Sequence, residues 1–326
     1  MSDTVLVTGA GGFIGSHLCE ALVRAGTRVR AFVRYNARND WGAIELTSPD
    51  VRDALEVIAG DIRDPFAVRT AVRGCRTVFH LAALIAIPYS YRSPHSFIET
   101  NVLGTMNVMQ AVLDERTERV VHTSTSEVYG TAQRVPIEET HPLQAQSPYS
   151  ASKIGADKVA ESFHLSFGLP VATVRPFNTF GPRQSARAVI PTIASQALAG
   201  RDVALGALAP TRDLLYVEDT VRGMIAAARS DAAIGRVVNL GTGREISIGD
   251  LARKVIAACG ATVGVVHDPR RLRPKESEVE RLCASSALAR ELLGWEPRVT
   301  LEEGIERVVE FVRANLDRYK PGIYST

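Results

Sequence analysis

The feature that most constrains the fold is a glycine-rich turn, Gly9–Gly15, with the spacing G-x-x-G-x-x-G. A β-branched run before it, Thr4–Thr8, predicts a buried strand. The residues after it predict a helix over Phe13–Ala25 and a second strand over Arg28–Val33. This order is typical of dinucleotide binding, because glycines let a pyrophosphate approach the free N–H groups at the start of a helix.

Alternating strand and helix patterns continue after this unit. Further strands are predicted at Leu55–Ala59, Arg76–Leu81, Arg119–His122, Val171–Pro176 and Arg236–Leu240. Such alternation predicts an α/β fold with a Rossmann-type, doubly wound parallel sheet. In a sheet of this kind, ligands bind at the carboxyl ends of the strands.

The alternation becomes irregular after residue 178, where turn-rich and short segments predominate. We therefore expect a smaller C-terminal substrate-binding lobe beside the sheet. The predicted dinucleotide-binding Rossmann domain comprises residues 1–178 plus about 236–265. The predicted lobe comprises residues from about 179 to 235 and from about 266 to 326.

Composition argues against several classes of protein. The 326 residues include 38 basic and 36 acidic ones, which argues against general nucleic-acid binding. The longest apolar segment, Val78–Pro88, is too short to span a bilayer, and residues 1–3 lack the basic region of a signal peptide. The four cysteines are scattered and form no C-x-x-C pair. We therefore expect a cytoplasmic protein without membrane contact, disulfides or a metal site.

The end of the second predicted strand bears on the choice of cofactor. Arg34, Asn36 and Arg38 stand where an NAD site usually has an acidic residue for the ribose hydroxyls. A guanidinium can bind a 2′-phosphate bidentately. The sequence therefore favours NADP over NAD, the alternative being that Arg34 is merely solvated.

Other candidate cofactor contacts follow the remaining strands. Asp61 is placed to bind the adenine amine or, alternatively, to cap the next helix. Small residues follow His80, which we expect to pack in the core, and Asn101 is either functional or satisfied internally. The predicted cofactor contacts of the first half are Gly9, Gly12, Phe13, Ile14, Gly15, Arg34, Asn36, Arg38, Asp61, Ile62, Leu81, Ala82 and Ala83.

Chemistry-bearing side chains are concentrated between residues 123 and 153. The segment Thr123–Gly130 follows a predicted strand and carries several hydroxyls and the carboxylate of Glu127. A helix beginning near Pro148 presents Tyr149 and Lys153, which share one face because they are four residues apart. A phenol, an ammonium, hydroxyls and a carboxylate that converge in this way are suited to proton transfer near a carbinol.

Several motifs in order resemble one family over nearly the whole chain. The chain is similar to extended short-chain dehydrogenases/reductases, and more narrowly to nucleotide-sugar epimerases and dehydratases. The motifs are the glycine turn, Tyr149-x-x-x-Lys153, Arg175–Asn178 and Arg212–Asp219. The closest likeness is to 4,6-dehydratases that act on NDP-N-acetylglucosamine in legionaminic-acid-type pathways, carried by Ala83–Ser90, Ser124–Gly130 and Gly181–Ala188.

The resemblance implies a redox-neutral dehydration with a catalytic role for each of several residues. Tyr149 would take the proton of the sugar 4-hydroxyl, to which Thr125 donates or accepts a hydrogen bond. Lys153 would favour the phenolate and hold the nicotinamide ribose, so that both Tyr149 and Lys153 also contact the cofactor. Hydride would pass from C4 to the nicotinamide and return to C6. Glu127 would remove the C5 proton as water leaves from C6.

Ser126 departs from the family pattern. Many dehydratases of this type have Asp there, which protonates the departing hydroxyl. Three alternatives follow: Ser126 relays a proton or orients the 6-hydroxyl, Glu127 performs both tasks, or elimination is incomplete or absent. The last case leaves a 4-epimerase or a 5,6-ene-forming enzyme. Dehydratase activity is favoured, because epimerases usually have small or apolar residues where Glu127 stands.

The resemblance also implies a nucleotide-sugar substrate and a homodimer. Arg212 and Arg273, with Arg183 as a weaker candidate, would bind the diphosphate, and Asn178 and Val189 are further candidate substrate contacts. Dimerisation is expected through two helices near Pro94–Arg116 and Tyr149–Phe167. A non-catalytic dinucleotide-binding protein is a third hypothesis, which the combination of Tyr149, Lys153 and Thr125 disfavours.

Overall fold

A computed structural model describes residues 4–321 and 323–324 of the chain. These residues form strands at each position predicted for the sheet, and several shorter strands in the second half. The strands are β1 (Val5–Thr8), β2 (Val29–Arg34), β3 (Leu55–Gly60), β4 (Thr77–His80), β5 (Arg119–Thr123), β6 (Val171–Pro176), β7 (Asn178–Phe180), β8 (Val203–Leu205), β9 (Thr211–Tyr216), β10 (Val237–Leu240), β11 (Glu245–Ser247) and β12 (Val265–His267).

Helices connect most of these strands. They are α1 (Phe13–Arg24), α2 (Pro49–Asp53), α3 (Pro65–Val72), α4 (Ile87–Arg92), α5 (Pro94–Phe97), α6 (Gly104–Glu115), α7 (Pro148–Phe167), α8 (Val189–Leu198), α9 (Val217–Arg229), α10 (Ile248–Cys259), α11 (Ala287–Leu293), α12 (Leu301–Ala314) and α13 (Leu316–Tyr319). In the part of the chain that the structure describes, no helix is long and apolar enough to cross a membrane.

The central sheet has seven strands in the order β10-β6-β5-β4-β1-β2-β3, and all neighbouring strands are parallel. The chain runs from β1 outwards to β3 and then returns to the other side of β1 with β4. This reversal creates a crevice beyond the carboxyl ends of β1 and β4, where doubly wound sheets bind ligands. The predicted Rossmann-type α/β fold is confirmed.

Residues of the buried strands alternate between two cores, one on each face of the sheet. Neighbouring Leu6 and Val78 pack into the core that contains residues of α3 and α6. Val7 and Phe79, one position further along the same strands, pack into the core that contains residues of α1 and α9. Both faces are covered, which explains why the strands are continuous apolar runs in the sequence.

The elements of the second half of the chain pack in two groups. β10 joins the sheet as expected, but α9 packs against α1 and β6 and therefore belongs to the layer that covers the sheet. α10 packs against α8 and α12, and β12 pairs with β8, so these elements belong to the lobe. The apolar stripe of a helix predicts that this face is buried. It does not predict which layer of the fold the helix packs against.

The helix expected over Pro94–Arg116 is interrupted. α5 and α6 are separated by a π-helical segment, Ile98–Leu103, which carries the buried Asn101. Ser93 precedes α5, but its hydroxyl bonds the hydroxyl of Ser96 instead of a backbone N–H group.

Candidate active site

A cleft of about 1150 Å³ lies at the carboxyl ends of the sheet strands, between the sheet and the lobe. Its wall includes residues that directly follow or end the strands, among them Gly9 after β1, Leu81 after β4 and Thr123 at the end of β5. Sites for one small molecule typically measure about 300–1,000 Å³. The cleft is therefore large enough for two ligands side by side.

The glycine turn brings backbone close to the cleft in a way that side chains would prevent. Gly9 has φ +71°, and a Cβ there would lie 2.8 Å from the nitrogen of Ala82. A Cβ at Gly15 would lie 2.2 Å from the carbonyl oxygen of Gly9. Gly12 precedes α1 and supplies no side-chain cap to its N–H groups. This cradle fits the pyrophosphate of a dinucleotide.

The residues after β2 have distinct surroundings. Arg34 is exposed and lines the cleft. Asn36 also lines it, but its amide closes the loop, donating to the carbonyl of Asp40 (2.7 Å) and accepting from the backbone N–H of Arg38 (3.0 Å). Arg38 is exposed and lies outside the cleft wall. Arg38 is thus not brought to the predicted cofactor contact.

Asp61 lies in the cleft wall and does not cap the following helix. Its carboxylate pairs with Arg63 at 2.7 Å, and this hydrogen bond lowers the pKa of Asp61 below its usual value. The cap of α3 is Asp64, which accepts from the N–H of Phe66 at 2.9 Å. The helix-capping alternative for Asp61 was therefore wrong.

Backbone hydrogen bonds tie the two halves of the 123–153 region together. The Thr125 hydroxyl accepts from the N–H of Glu127 (3.3 Å) and begins a short 3₁₀ turn over Ser126–Tyr129. Ser147 caps α7 by accepting from the N–H of Ser150 (3.1 Å). The Ser150 hydroxyl donates to the carbonyl of Glu127 (2.9 Å), so the first turn of α7 is fixed against the turn that carries the carboxylate.

The five predicted catalytic residues all line the cleft, namely Thr125, Ser126, Glu127, Tyr149 and Lys153. Tyr149 is buried, which raises the pKa of its phenol above the usual value. A hydrogen bond with Thr125 acts in the opposite direction, while the carboxylates of Glu127 and Asp157 raise the pKa further. The ammonium of Lys153 donates to the carbonyl of Thr123 at 2.7 Å.

Lys153 is buried, and the pKa of its ammonium depends on a carboxylate one turn further along α7. Burial lowers the pKa of its ammonium to about 8, and Asp157 opposes that change. The Asp157 carboxylate accepts from Ser124 (2.7 Å) and bonds His122 (3.0 Å) and Arg175 (3.0 Å). The pKa of Asp157 is about 2, because these hydrogen bonds and positive charges outweigh its burial. The carboxylate therefore stays ionised behind Lys153.

His80 and Asn101 both form hydrogen bonds within the protein. His80 is buried and bonds the hydroxyls of Thr8 (2.9 Å) and Thr105 (3.0 Å), as expected for a packed core histidine. Asn101 accepts from the N–H of Leu84 (2.7 Å) and donates to its carbonyl (3.0 Å). Both amide groups of Leu84, a cleft-lining residue, are therefore held by one side chain.

Two arginines meet at one carboxylate beside the chemistry-bearing residues. Arg212 is buried and bonds Glu278 at 3.2 Å, and Arg273, which lines the cleft, bonds the same oxygen at 3.3 Å. Burial lowers the pKa of Arg212, and the carboxylates of Glu127 and Glu278 raise it. Asn178 lines the cleft near them, and its buried Oδ1 has no hydrogen-bond partner, so it can accept from a ligand.

Two predicted substrate contacts besides Arg212 lie outside the cleft wall. The Arg183 guanidinium pairs with Glu20 of α1 at 2.7 Å and bonds the ring of His17, and Arg183 is not part of the cleft wall. Its backbone is in the left-handed region, with φ +68°. Val189 begins α8 and also stays outside the wall, to which its neighbour Ala188 contributes. Neither residue is brought to the site expected for it.

Several cleft-lining residues were not predicted. The most prominent are Trp41, Arg63, Tyr89, Gln184, Arg187 and Tyr324. Tyr89, Gln184 and Arg187 lie in Ala83–Ser90 and Gly181–Ala188, which carry the family resemblance, but their own positions were not singled out. Trp41, Arg63 and Tyr324 belong to none of the motifs, so no sequence signal marked them.

Comparison with known proteins assigns this arrangement to a family. A family profile described as GDP-mannose 4,6 dehydratase matches residues 6–308. The chain belongs to this family of nucleotide-sugar dehydratases and epimerases. Relatives in the family include a dTDP-glucose 4,6-dehydratase of Streptomyces antibioticus, 34% identical over 322 residues, which are 97% of this chain and 94% of the relative.

An epimerase of the family is as similar in sequence to this chain as the dehydratase is. A UDP-glucose 4-epimerase of Mycolicibacterium smegmatis is 34% identical over 314 residues, 94% of this chain and 98% of the relative. Among solved structures, the dTDP-glucose 4,6-dehydratase DesIV of Streptomyces venezuelae, crystallised with NAD, superimposes with a TM-score of 0.86. It is 30% identical, and the match covers 97% of this chain and 99% of DesIV.

Proposed function

We propose that this protein is an NADP-dependent NDP-sugar 4,6-dehydratase that forms a 4-keto-6-deoxy sugar from UDP- or GDP-N-acetylglucosamine. The observation that carries the proposal is the carboxylate of Glu127, which is buried in the cleft wall two residues from Thr125 and beside Tyr149. Besides a hydride acceptor, oxidation at C4 needs only the phenol and its hydroxyl partner. Loss of water needs a further base for the C5 proton, and Glu127 supplies one.

The residues present fit a nicotinamide dinucleotide along the crevice. The glycine turn would hold the pyrophosphate, Asp61 the adenine, Arg34 a 2′-phosphate and Lys153 the nicotinamide ribose. A bound nicotinamide would supply the acceptor for the C4 hydride and the source of the hydride that C6 receives. DesIV is described with NAD, whereas the exposed Arg34 supports NADP here.

The side chains would divide the remaining work between oxidation and elimination. Tyr149 accepts the proton of the 4-hydroxyl, and Thr125 orients that hydroxyl. The resulting 4-ketone makes the C5 proton acidic, and Glu127 removes it. The C6 hydroxyl leaves as water with a proton from Glu127, positioned by Ser126, and C5 regains a proton from solvent through Glu127. One water is lost, and no external reductant is consumed.

The N-acetylglucosamine substrate is proposed from the likeness of Ala83–Ser90 to dehydratases that use it. This segment forms part of the cleft wall and places Ile85, Ile87 and Pro88 there. An acetyl methyl group can pack against such apolar side chains. Arg273, with Arg212 behind it, would bind the diphosphate, and Asn178 would donate or accept a hydrogen bond to the sugar nucleotide.

Incubation of the purified protein with UDP- and GDP-N-acetylglucosamine and NADP tests the proposal. We expect a product lighter by one water that has the alkaline absorbance of a 4-ketone. An isomer of unchanged mass would instead establish a 4-epimerase, which Ser126 favours because a neutral hydroxyl is a poor general acid. Absence of turnover on any NDP-sugar, with cofactor bound, would indicate a non-catalytic protein.

We also propose a homodimer built on the helices of residues 94–115 and 148–167. Ile98, Leu103 and Met106 are exposed along the first of these, and Leu165 is 75% exposed on the second. The proposal rests on this exposure of apolar side chains on both helices, since exposed apolar surface marks interaction sites.

A further inference from the structure

A tail segment, residues 316–321 and 323–324, connects two loops that border the cleft. Tyr319 is buried, and its hydroxyl donates to the carbonyl of Gln184 at 3.1 Å. Five residues later, the ring of Tyr324 lies under the Arg271 guanidinium, whose Cζ is 4.5 Å from the ring centroid. Gln184 and Tyr324 both belong to the cleft wall. The segment therefore bridges the mouth of the cleft on the lobe side.

The loop that holds Tyr324 is itself fixed at both ends. Arg271 bonds Asp268 at 3.2 Å, and the N–H of Asp268 donates to the carbonyl of Leu205 at 2.8 Å. At the other end, the Ser277 hydroxyl donates to the carbonyl of Gln146 at 2.5 Å. Only 13% of the Arg271 side chain is exposed. A guanidinium held in this way presents a constant surface on which the aromatic ring can rest.

The position of Tyr324 relative to Arg273 indicates which part of a ligand it meets. Arg273 lies two residues from Arg271 in the same loop and lines the same cleft. If Arg273 binds the diphosphate of a nucleotide sugar, the nucleoside extends beyond it, on the side away from the reacting sugar. We propose that Tyr324, backed by Arg271, stacks on the nucleobase of the substrate. This inference rests on the proposed function, because it requires an NDP-sugar in the cleft.

The adenine of the cofactor is the other base that could meet an aromatic ring, and the topology places it elsewhere. Arg34 and Asp61, the candidate adenosine contacts, follow β2 and β3 at one edge of the sheet. Tyr324 packs against Arg271 of the lobe, and Tyr319 of the same segment bonds the loop of Gln184. Stacking on an aromatic ring tolerates any base, so Tyr324 would strengthen nucleotide binding without selecting uracil or guanine.

Titration calorimetry on the full chain tests the inference with four probes, namely UDP, GDP, inorganic pyrophosphate and NADP. We expect Y324A to weaken UDP and GDP binding about tenfold, since stacking contributes that much per base. Pyrophosphate, which has no base, and NADP should bind Y324A as they bind the native protein. Y324F should bind all four probes normally, because it keeps the ring. I323A is the matched control, an exposed neighbour outside the cleft wall.

The inference is overturned if Y324A binds UDP and GDP as tightly as the native protein. It is equally overturned if pyrophosphate binding falls in parallel, which would mean that Tyr324 acts through the arginines, or if only NADP binding falls. A native protein that binds neither UDP nor GDP would instead overturn the proposed function. Thermal unfolding of Y324A and Y324F shows whether a loss of affinity is caused by misfolding. In that case all four probes bind less tightly to Y324A, and the stacking role is rejected.

Discussion

Asp157 lies one helical turn after Lys153 on α7 and raises the pKa of an ammonium that burial lowers to about 8. Its own carboxylate is held ionised by His122, Ser124 and Arg175. The charge of Lys153 near neutral pH thus depends on a residue that no motif singled out. Deprotonation of Lys153 would remove the cation expected to hold the nicotinamide ribose.

The first prediction concerns the pH dependence of catalysis. In the native protein, activity that requires the Lys153 ammonium should fall as the pH rises through about 8. D157N removes the charge that opposes the effect of burial, so the pKa of Lys153 falls further and the alkaline limb moves to lower pH. The pH profile of kcat/KM measures this change.

Loss of the ion pair with Arg175 needs a control, because D157N also leaves a buried guanidinium unpaired. R175M breaks the same pair but retains the carboxylate. Both variants should be less stable to heat, and only D157N should show the earlier alkaline loss of activity. An unchanged limb in D157N would show that Asp157 serves the stability of the fold alone.

The second prediction separates oxidation from elimination. E127Q retains the size of the side chain but not the base, so water loss should slow by at least about a hundredfold. Reduction of the bound cofactor on addition of substrate should persist, and absorbance and mass spectrometry follow the two steps separately. S126A should slow water loss by no more than about tenfold, because a hydroxyl contributes little as an acid. The reverse order of effects would assign the decisive role to Ser126.

The third prediction addresses the arginines at Glu278. R273M should raise KM for the nucleotide sugar about tenfold or more with a smaller change in kcat, since it removes charge-assisted hydrogen bonds made to bound substrate. Steady-state kinetics provides the measurement. Arg270, whose side chain is 79% exposed and pairs with Asp268, is the control position. If R270M raises KM equally, the effect reflects only the overall charge of the loop.

The fourth prediction concerns cofactor preference. R34L should raise KM for NADP about tenfold and change KM for NAD little, because only NADP carries the 2′-phosphate. R38L should change neither constant, since Arg38 is outside the cleft wall. Kinetics with both cofactors checks the pair of variants. Equal losses with NAD and NADP in R34L would contradict a 2′-phosphate contact.

The fifth prediction concerns oligomeric state. M106E places a charge on the exposed apolar face proposed as the dimer contact, where desolvating it without a partner is unfavourable. We expect the native protein to sediment as a dimer and M106E as a monomer. F66E alters a more exposed aromatic residue on α3 and should remain dimeric. Identical sedimentation of native protein and M106E would exclude this face.

Most of the sheet and the candidate catalytic residues were accessible from the sequence because their signals are local. Buried strands are continuous apolar runs, and Tyr149 and Lys153 are related by helical spacing alone. The glycine turn likewise reports its own conformation, as the positive φ of Gly9 illustrates. Each of these features can be recognised from a short stretch of sequence, without knowledge of the fold.

What the sequence did not predict depends on long-range contacts. Two arginines that were both candidates for binding the diphosphate have different surroundings. Arg273 lines the cleft, whereas Arg183 pairs with Glu20 of α1. Asp157 had no recognisable role until β5 and β6 placed His122 and Arg175 against it. Tyr324 lies far from every motif, and only packing against Arg271 brings it to the cleft.

The π-helical segment Ile98–Leu103 has a consequence for which changes the chain can accept. Each residue of an α-helix advances the side chain by about 100°, so deleting one residue from this segment would rotate everything before it relative to α6. Asn101 would then leave the interior, and the backbone of Leu84 would lose both hydrogen bonds. A π-helical turn contains one residue more than an α-helical turn. The residues before α6 can therefore face the wall of the cleft while α6 itself keeps the register set by the core beneath it. Insertions and deletions here should therefore be far less tolerated than substitutions.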